Sequence, residues 1–306
     1  MTLTELRYIV TLAKTEHFGR AAELCFVSQP TLSVAIKKLE SELNVAIFER
    51  AKNSVKVTAV GGKIISQAKL TLTQAAVIKE LAEADKGQLN TPLRVGAIHT
   101  IGPYVFPDLV RKMQKSAPGM PLYIEENYTK NLQHKLLEGE LDAILIALPF
   151  AVPDIVTAKL YHEDFLMLLH PDHPWCNKPQ IAAASLAETE LLLLGKGHCF
   201  RDQVLESCRS LQQVLAEQHQ ATEGSSLETI RLMVASGLGS SVIPRSAAQS
   251  ANSMDHLITL PFSEPVPGRT VALAWRASFP RLKAIDCLLQ ALQNDSSIAG
   301  EPNHVR

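Results

Sequence analysis

The stretch Phe26-Val27-Ser28-Gln29-Pro30-Thr31-Leu32-Ser33-Val34-Ala35-Ile36-Lys37-Lys38-Leu39 reads as a turn followed by a helix start. Ser28 suits the N-cap, where a hydroxyl accepts from an otherwise unpaired backbone N–H. Pro30 falls in the first turn, where the missing N–H costs no intrahelical bond. Leu32, Ile36 and Leu39 then form an apolar stripe at helical spacing, with Thr31, Ser33, Lys37 and Lys38 on the other faces. Upstream, Leu3, Leu6, Ile9, Val10 and Ala13 repeat the same period, so a first helix runs to about Lys14 with Thr4 placed to cap it. Arg20-Ala21-Ala22-Glu23-Leu24-Cys25 supplies a short second helix whose alanines permit close packing.

Three such helices make a helix-turn-helix, the last of them entering the major groove of double-stranded DNA. Gln29, Pro30, Thr31 and Ser33 stand near its N-terminus, where base edges are met. Lys37, Arg50 and Lys52 suit phosphate contacts, which set position and affinity. Phe48-Glu49-Arg50 leading into the alternating Val55-Lys56-Val57-Thr58 has the pattern of a wing.

The rest of the chain has a different rhythm. Residues 59–90 carry a long apolar seam through Ile64, Ile65, Ala68, Leu72, Ala75, Ala76, Ile78, Leu81 and Ala82, which fits one long helix. The polar Lys86-Gly87-Gln88-Leu89-Asn90-Thr91-Pro92 breaks it and marks a boundary. Strands and helices then alternate: strands at 93–98, 122–126 and 142–148, helices at 104–116 and 132–138. A second set begins near Phe165-Leu166-Met167-Leu168-Leu169 and continues through Leu191 to Leu194, a helix at 227–235 and Ser241-Val242-Ile243. Val271 to Trp275 and a final helix through Leu282 to Leu292 return to the first set. This is the order of a mostly parallel sheet with covering helices. The expected division is a winged helix-turn-helix over 1–58, a linker helix over 59–90 and an α/β domain over 91–306. Its first lobe spans 91–161 and 268–295, its second 162–267.

Composition narrows the class. The 306 residues suit about two domains. No run reaches the roughly eighteen apolar residues of a membrane span, and the N-terminus lacks the apolar core of a signal peptide. A cytoplasmic protein without a membrane partner is the expectation. A slight basic excess in residues 1–90 and a slight acidic excess beyond add little on their own. Five cysteines without repeated spacing are not a secreted disulfide framework, and neither CxxC nor a zinc spacing occurs. His170-Pro171-Asp172-His173-Pro174-Trp175 pairs two histidines but its prolines favour a structural loop. Neither metal nor cofactor is expected.

Cys25, Cys176 and Cys287 read as small core residues. Cys199 and Cys208 differ, lying nine residues apart in Gly197-His198-Cys199-Phe200-Arg201-Asp202-Gln203-Val204-Leu205-Glu206-Ser207-Cys208. Gly195-Lys196-Gly197 lets the backbone turn so that Cys199 opens a helix, where unpaired N–H groups favour an anion. Lys196, Arg201 and His198 add positive charge nearby, so Cys199 is the expected reactive thiol. Within one helix the two Cα atoms lie roughly 13 Å apart, whereas a disulfide needs them within about 7 Å. Any bond between them requires the segment to refold.

Arg20-Ala21-Ala22, Ser28-Gln29-Pro30-Thr31-Leu32-Ser33, Leu39-Glu40 and Phe48-Glu49-Arg50 through Val57-Thr58 together resemble the DNA-binding domain of LysR-type transcriptional regulators. Ala35 departs from the glutamine many members carry. His198 through Gln203 with Cys208, Gly102-Pro103-Tyr104, His173-Pro174-Trp175 and Ser226-Leu227-Glu228-Thr229 resemble the peroxide-sensing members of that family and extend the match over most of the chain. The resemblance implies a two-lobed effector domain like a periplasmic binding protein and a transcription factor, most often an activator, rather than an enzyme. It implies hydrogen peroxide as the signal, a peroxidatic Cys199 with Cys208 as resolving partner, and a pocket and proton path from Thr100, Thr129, His198 and Asp202 with Arg269 close by. It also implies a dimer seam along residues 59–90, a homotetramer, and recruitment of RNA polymerase. Two alternatives remain: a LysR-type regulator with a small metabolite in its inter-lobe cleft, and a thiol peroxidase.

Overall fold

The computed structural model describes residues 1–51, 54–84, 88–208, 223–250 and 256–293. The chain forms two compact units, Met1–Lys86 and Gly87–Arg306.

In the first unit, α1 (Leu3–Thr15), α2 (Phe18–Leu24) and α3 (Gln29–Leu43) bury Ile9, Leu12, Leu32, Ile36 and Leu39 completely. The cap of α1 is Thr2, not Thr4: the Glu5 N–H donates to Thr2 Oγ1 at 3.2 Å and the Thr2 N–H to Glu5 Oε2 at 2.8 Å. This reciprocal box needs a hydroxyl three residues ahead of a glutamate, and Thr4 has none so placed. The second helix starts earlier than expected, because His17 Nδ1 accepts from the Arg20 N–H at 3.2 Å and caps a helix that already includes Phe18. Ser28 does cap α3, accepting from the Thr31 N–H at 3.3 Å. Strands β1 (Phe48–Ala51) and β2 (Ser54–Val57) pair antiparallel as the wing. The long helix α4 (Ala59–Ala84) packs on α1 through Ile65 and Ala68. Gly61 lets the start of α4 lie against the chain just before β1, since a Cβ there would collide with the Ile47 carbonyl.

The second unit is built on a mixed sheet in the order β4-β3-β5-β11-β6-β9-β7-β8, with β10 also on β6. Its first lobe contains β3 (Leu93–Ile98), α5 (Gly102–Ser116), β4 (Leu122–Asn127), α6 (Thr129–Leu137) and β5 (Ala143–Ala147). The chain then enters β6 (Ile155–Leu169), a strand fifteen residues long. The second lobe holds β7 (Leu191–Leu194), α7 (Cys199–Ser207), β8 (Glu223–Gly224), α8 (Leu227–Ala235), β9 (Ser240–Pro244), α9 (Arg245–Ser250) and β10 (Ile258–Pro261). β11 (Gly268–Arg276) and α10 (Leu282–Gln293) return to the first lobe.

Each lobe has its own core, one around Val95, Ile144, Leu273 and Leu288, the other around Phe165, Leu192, Val242 and Ile230. β6 joins them: it pairs with β11 as far as Asp164 and with β9 from Phe165. The expected lobe break after Tyr161 therefore falls inside the stretch that still pairs with β11. Around His170 the chain makes the expected turn, the His173 N–H donating to the His170 carbonyl at 2.9 Å. Among the described residues no helix is long and apolar enough to cross a membrane.

Candidate functional site

Parallel strands β3 and β4 end side by side, and each is followed by a threonine: His99-Thr100 after β3, Tyr128-Thr129 after β4. Thr129 opens α6, and Cys199 opens α7 behind the N-cap residue His198. Gly197, at φ +99°, makes the turn into α7, a backbone conformation open to glycine and costly for other residues. The two helix starts and the two strand ends enclose a cavity of about 10 Å³ lined by Ile98, His99, Thr100, Asn127, Tyr128, Thr129, Gly197, His198, Cys199 and Phe200. That is room for one water-sized centre. Two helix N-termini facing it give the space positive potential without a lysine or arginine in its wall.

Two polar atoms here are buried without a hydrogen-bond partner, Thr129 Oγ1 and His198 Nε2. Buried polar groups are nearly always paired, because an orphan gives up its hydration for nothing. Both are therefore groups ready for a small polar ligand. The other ring nitrogen of His198 hydrogen-bonds to the Ser225 backbone, and the ring packs edge-on to Tyr128 at 4.7 Å and tilted against His99 at 5.7 Å. Burial, with His99 beside it, pushes the His198 imidazole below its ordinary value of 6.5. The ring is thus neutral at physiological pH, with Nε2 as an acceptor.

Thr100 is buried and clamped: Arg269 donates from Nη1 to its Oγ1 and from Nη2 to its carbonyl, both at 2.8 Å. Arg269 is itself buried, donates from Nε to Glu163 Oε2 at 2.8 Å, and lies over the Phe200 ring at 5.4 Å. Thr100, Thr129, His198 and Cys199 are thus brought together, with Arg269 directly behind Thr100. Asp202 is not: it is exposed and does not line the cavity. Phe200 and Val204 fix the rotation of α7 by turning inward, and Asp202, two residues from each, faces the opposite side. Nor does Arg201 lend its charge to the thiol, because its guanidinium is held by the Leu194 carbonyl at 2.8 Å and Glu223 at 2.9 Å. Lys196 points to solvent.

Cys199 is half-buried and packs against the core of the first lobe. Cys208, at the far end of α7, is buried in the core of the second, its thiol donating weakly to the Ala184 carbonyl at 3.8 Å. Both are free thiols, as are Cys25, Cys176 and Cys287. Sequence reasoning passed over Glu163, His99, Asn127 and Tyr128. The last three were within reach, since the carboxyl ends of adjacent parallel strands are where open α/β sheets bind ligands.

In the first unit, Gln29, Pro30 and Thr31 are exposed at the start of α3, Ser33 is half-buried and Lys37 exposed one turn further on. Arg50 lies in β1 opposite Val55. Lys52 lies outside the described residues.

The low value of His198 sets a pH dependence. The unfolded chain takes up its proton first as pH falls through about 6.5, so stability held at neutral pH is lost from there down to the folded-state value. His173, lowered chiefly by its burial, acts in the same direction. Urea midpoints at about pH 7.5 and 5.5 should show a loss on acidification that shrinks in His198→Gln.

A helix-turn-helix joined through a long helix to a two-lobed α/β domain with a small buried pocket defines a DNA-binding transcriptional regulator with its own effector domain. Family models match twice: the bacterial regulatory helix-turn-helix protein of the lysR family over residues 3–62, and the LysR substrate binding domain over residues 86–297. The chain belongs to the LysR family. It is 36% identical to the DNA-binding transcriptional dual regulator OxyR of Escherichia coli K12 over 293 residues, 96% of this chain and 95% of that one. Among solved structures it resembles full-length OxyR of Pseudomonas aeruginosa carrying a cysteine-to-aspartate substitution, with TM-score 0.80, 57% identity, and coverage of 97% and 96%. A cysteine-to-serine variant of Corynebacterium glutamicum OxyR, described as H2O2-bound, matches with TM-score 0.64 and 34% identity over 95% of this chain and 91% of that one.

Proposed function

We propose that this regulator senses hydrogen peroxide at Cys199 and answers by forming a Cys199–Cys208 disulfide that changes how it holds promoter DNA. The observation that carries the reading is the pair of unpartnered atoms, Thr129 Oγ1 and His198 Nε2, beside Cys199 in a cavity sized for a very small polar molecule. Kinship with the OxyR proteins points the same way.

In the reaction, the Cys199 thiolate attacks one peroxide oxygen. An S–O bond forms as the O–O bond breaks, sulfur is oxidised and the far oxygen departs with the electron pair as hydroxide. That hydroxide takes up a proton and leaves as water: neutral His198 Nε2 can carry it from the attacked oxygen to the departing one, and the sulfenate left on Cys199 takes up a proton from solvent to become the sulfenic acid. The hydroxyls of Thr100 and Thr129 and the two helix N-termini stabilise the developing negative charge. The Cys208 thiol then condenses with the sulfenic acid, forming the S–S bond and releasing a second water.

Refolding of α7 repacks the contacts between effector domains in a homodimer or homotetramer. The DNA-binding units are re-spaced along the promoter, which allows RNA polymerase to be recruited. Gln29, Pro30, Thr31 and Ser33 face base edges, and Lys37, Arg50 and Lys52 face phosphates.

The test pairs mass spectrometry after one equivalent of peroxide with DNA footprints of the reduced and oxidised protein. A 199–208 cross-linked peptide and a shifted footprint are expected. An unchanged footprint on fully cross-linked protein would remove the switch.

A further inference from the structure

We infer that Glu163 is a positioning residue for the reaction at Cys199: it fixes Arg269, which aims the Thr100 hydroxyl into the pocket. This rests on the reading of Cys199 as the peroxide-reactive thiol.

Glu163 and Arg269 are cross-strand partners of β6 and β11, with side chains 1% and 0% exposed. They meet where β6 passes from one lobe to the other. Both carboxylate oxygens are used, Oε2 accepting from Arg269 Nε and Oε1 from the Ser246 N–H, each at 2.8 Å. The start of α9 therefore sets the orientation of Glu163, and Glu163 sets that of the guanidinium. The neighbouring acid cannot take its place, because Asp164 is paired with Arg245 at 2.8 Å. Phe200 closes one face of the guanidinium, which leaves Nη1 and Nη2 aimed at Thr100.

The consequence for Thr100 follows from donor counting. A guanidinium has no acceptor, so Thr100 Oγ1 can only accept from Arg269. The single hydroxyl proton must then go elsewhere, and Thr100 borders the cavity where Cys199 lies. A fixed donor at that spot meets the oxygen that leaves as the O–O bond breaks. Its value depends on being in place beforehand, which Arg269 secures only while Glu163 holds it.

The test uses full-length protein and compares two second-order rates at Cys199, oxidation by hydrogen peroxide and alkylation by iodoacetamide, which needs no leaving-group donor. In Glu163→Gln, oxidation should slow by about tenfold or more. Alkylation should change by less than about twofold, because the Cys199 sulfur and its access are unaltered. In a Thr100→Val background the same substitution should slow oxidation by less than about twofold, since the hydroxyl it positions is gone. An unchanged oxidation rate, a parallel fall in alkylation, or an undiminished effect in Thr100→Val would each overturn the inference. If Glu163→Gln does not fold, Glu163→Asp, which keeps the charge but withdraws it by one methylene, should slow oxidation selectively, and a wild-type rate there would overturn the inference too. Failure of the underlying reading looks different: Cys199 of the unsubstituted protein would then not react with peroxide.

Discussion

Replacing Cys199 by serine leaves a chain that folds and binds DNA but no longer responds to peroxide, its oxidation at position 199 falling by about a thousandfold or more. A serine hydroxyl is almost wholly protonated at neutral pH and is a poor nucleophile even beside two helix N-termini. The thiolate is what supplies the chemistry. The fold should tolerate the change, since Cys199 is only half-buried and the exchange removes no large side chain, for a cost of about 1 kcal/mol. Cys208→Ser should behave differently: Cys199 is still oxidised, but the product stops at the sulfenic acid, which dimedone traps. Peptide mapping distinguishes both from oxidation at Cys25, Cys176 or Cys287. If Cys199→Ser kept a peroxide-dependent footprint, the thiol would not be the sensor. A small organic acid that raises thermal stability would then favour the metabolite reading.

How much of this could be read from the residues depends on how local each signal is. Ser28, Pro30 and the Leu32, Ile36, Leu39 stripe specify α3 within a dozen residues, and the structure has that helix with that cap. The start of α1 was misplaced by two residues, although the Thr2-x-x-Glu5 spacing was there to be read. β6 was found only from Phe165 onward because its first ten residues, Ile155–Asp164, mix exposed and half-buried positions with none fully buried except Glu163. There is no clean alternation to detect in a strand that crosses between two cores. The thiol pocket divides in the same way. Cys199 and His198 declare themselves through the glycines before them and the helix after them. Arg269 acts on Thr100 from 169 positions away, and Glu163 on Arg269 from 106 away. No local pattern encodes such contacts; only the pairing of β6 with β11 creates them. Asp202 is the converse case, a residue near in sequence whose side chain the buried Phe200 and Val204 turn outward.

Oxidation to the disulfide should unwind α7, raising hydrogen exchange of the amides at 203–207 by about a hundredfold or more. The helix holds the sulfurs' backbones roughly 13 Å apart, and closing that gap to about 7 Å leaves no way to keep its turns. The thiols also start in different cores, Cys199 against the first lobe and Cys208 within the second, so at least one must leave its packing. Unwinding draws Phe200 and Val204 out of the second core, which at about 1.5–3 kcal/mol per large apolar side chain costs about 3–6 kcal/mol. Because 30 mV corresponds to about 1.4 kcal/mol for two electrons, that cost raises the reduction potential of the disulfide by about 65–130 mV above an unstrained one. A structural disulfide lying below about −300 mV would be shifted into the range that cellular thiols can reduce. On the proposed mechanism the buried face of α7 would make such a bond reversible, opposing oxidation enough that the helix would re-form once peroxide is gone. Trimming that face should deepen the oxidised state, so Val204→Ala is expected to lower the potential by about 20–40 mV, from a lost burial of about 1–2 kcal/mol. Redox titration against glutathione buffers reads this directly. A cross-linked protein with α7 amides still protected, or a Val204→Ala potential equal to or above that of the unsubstituted chain, would show that the helix is not what the disulfide works against.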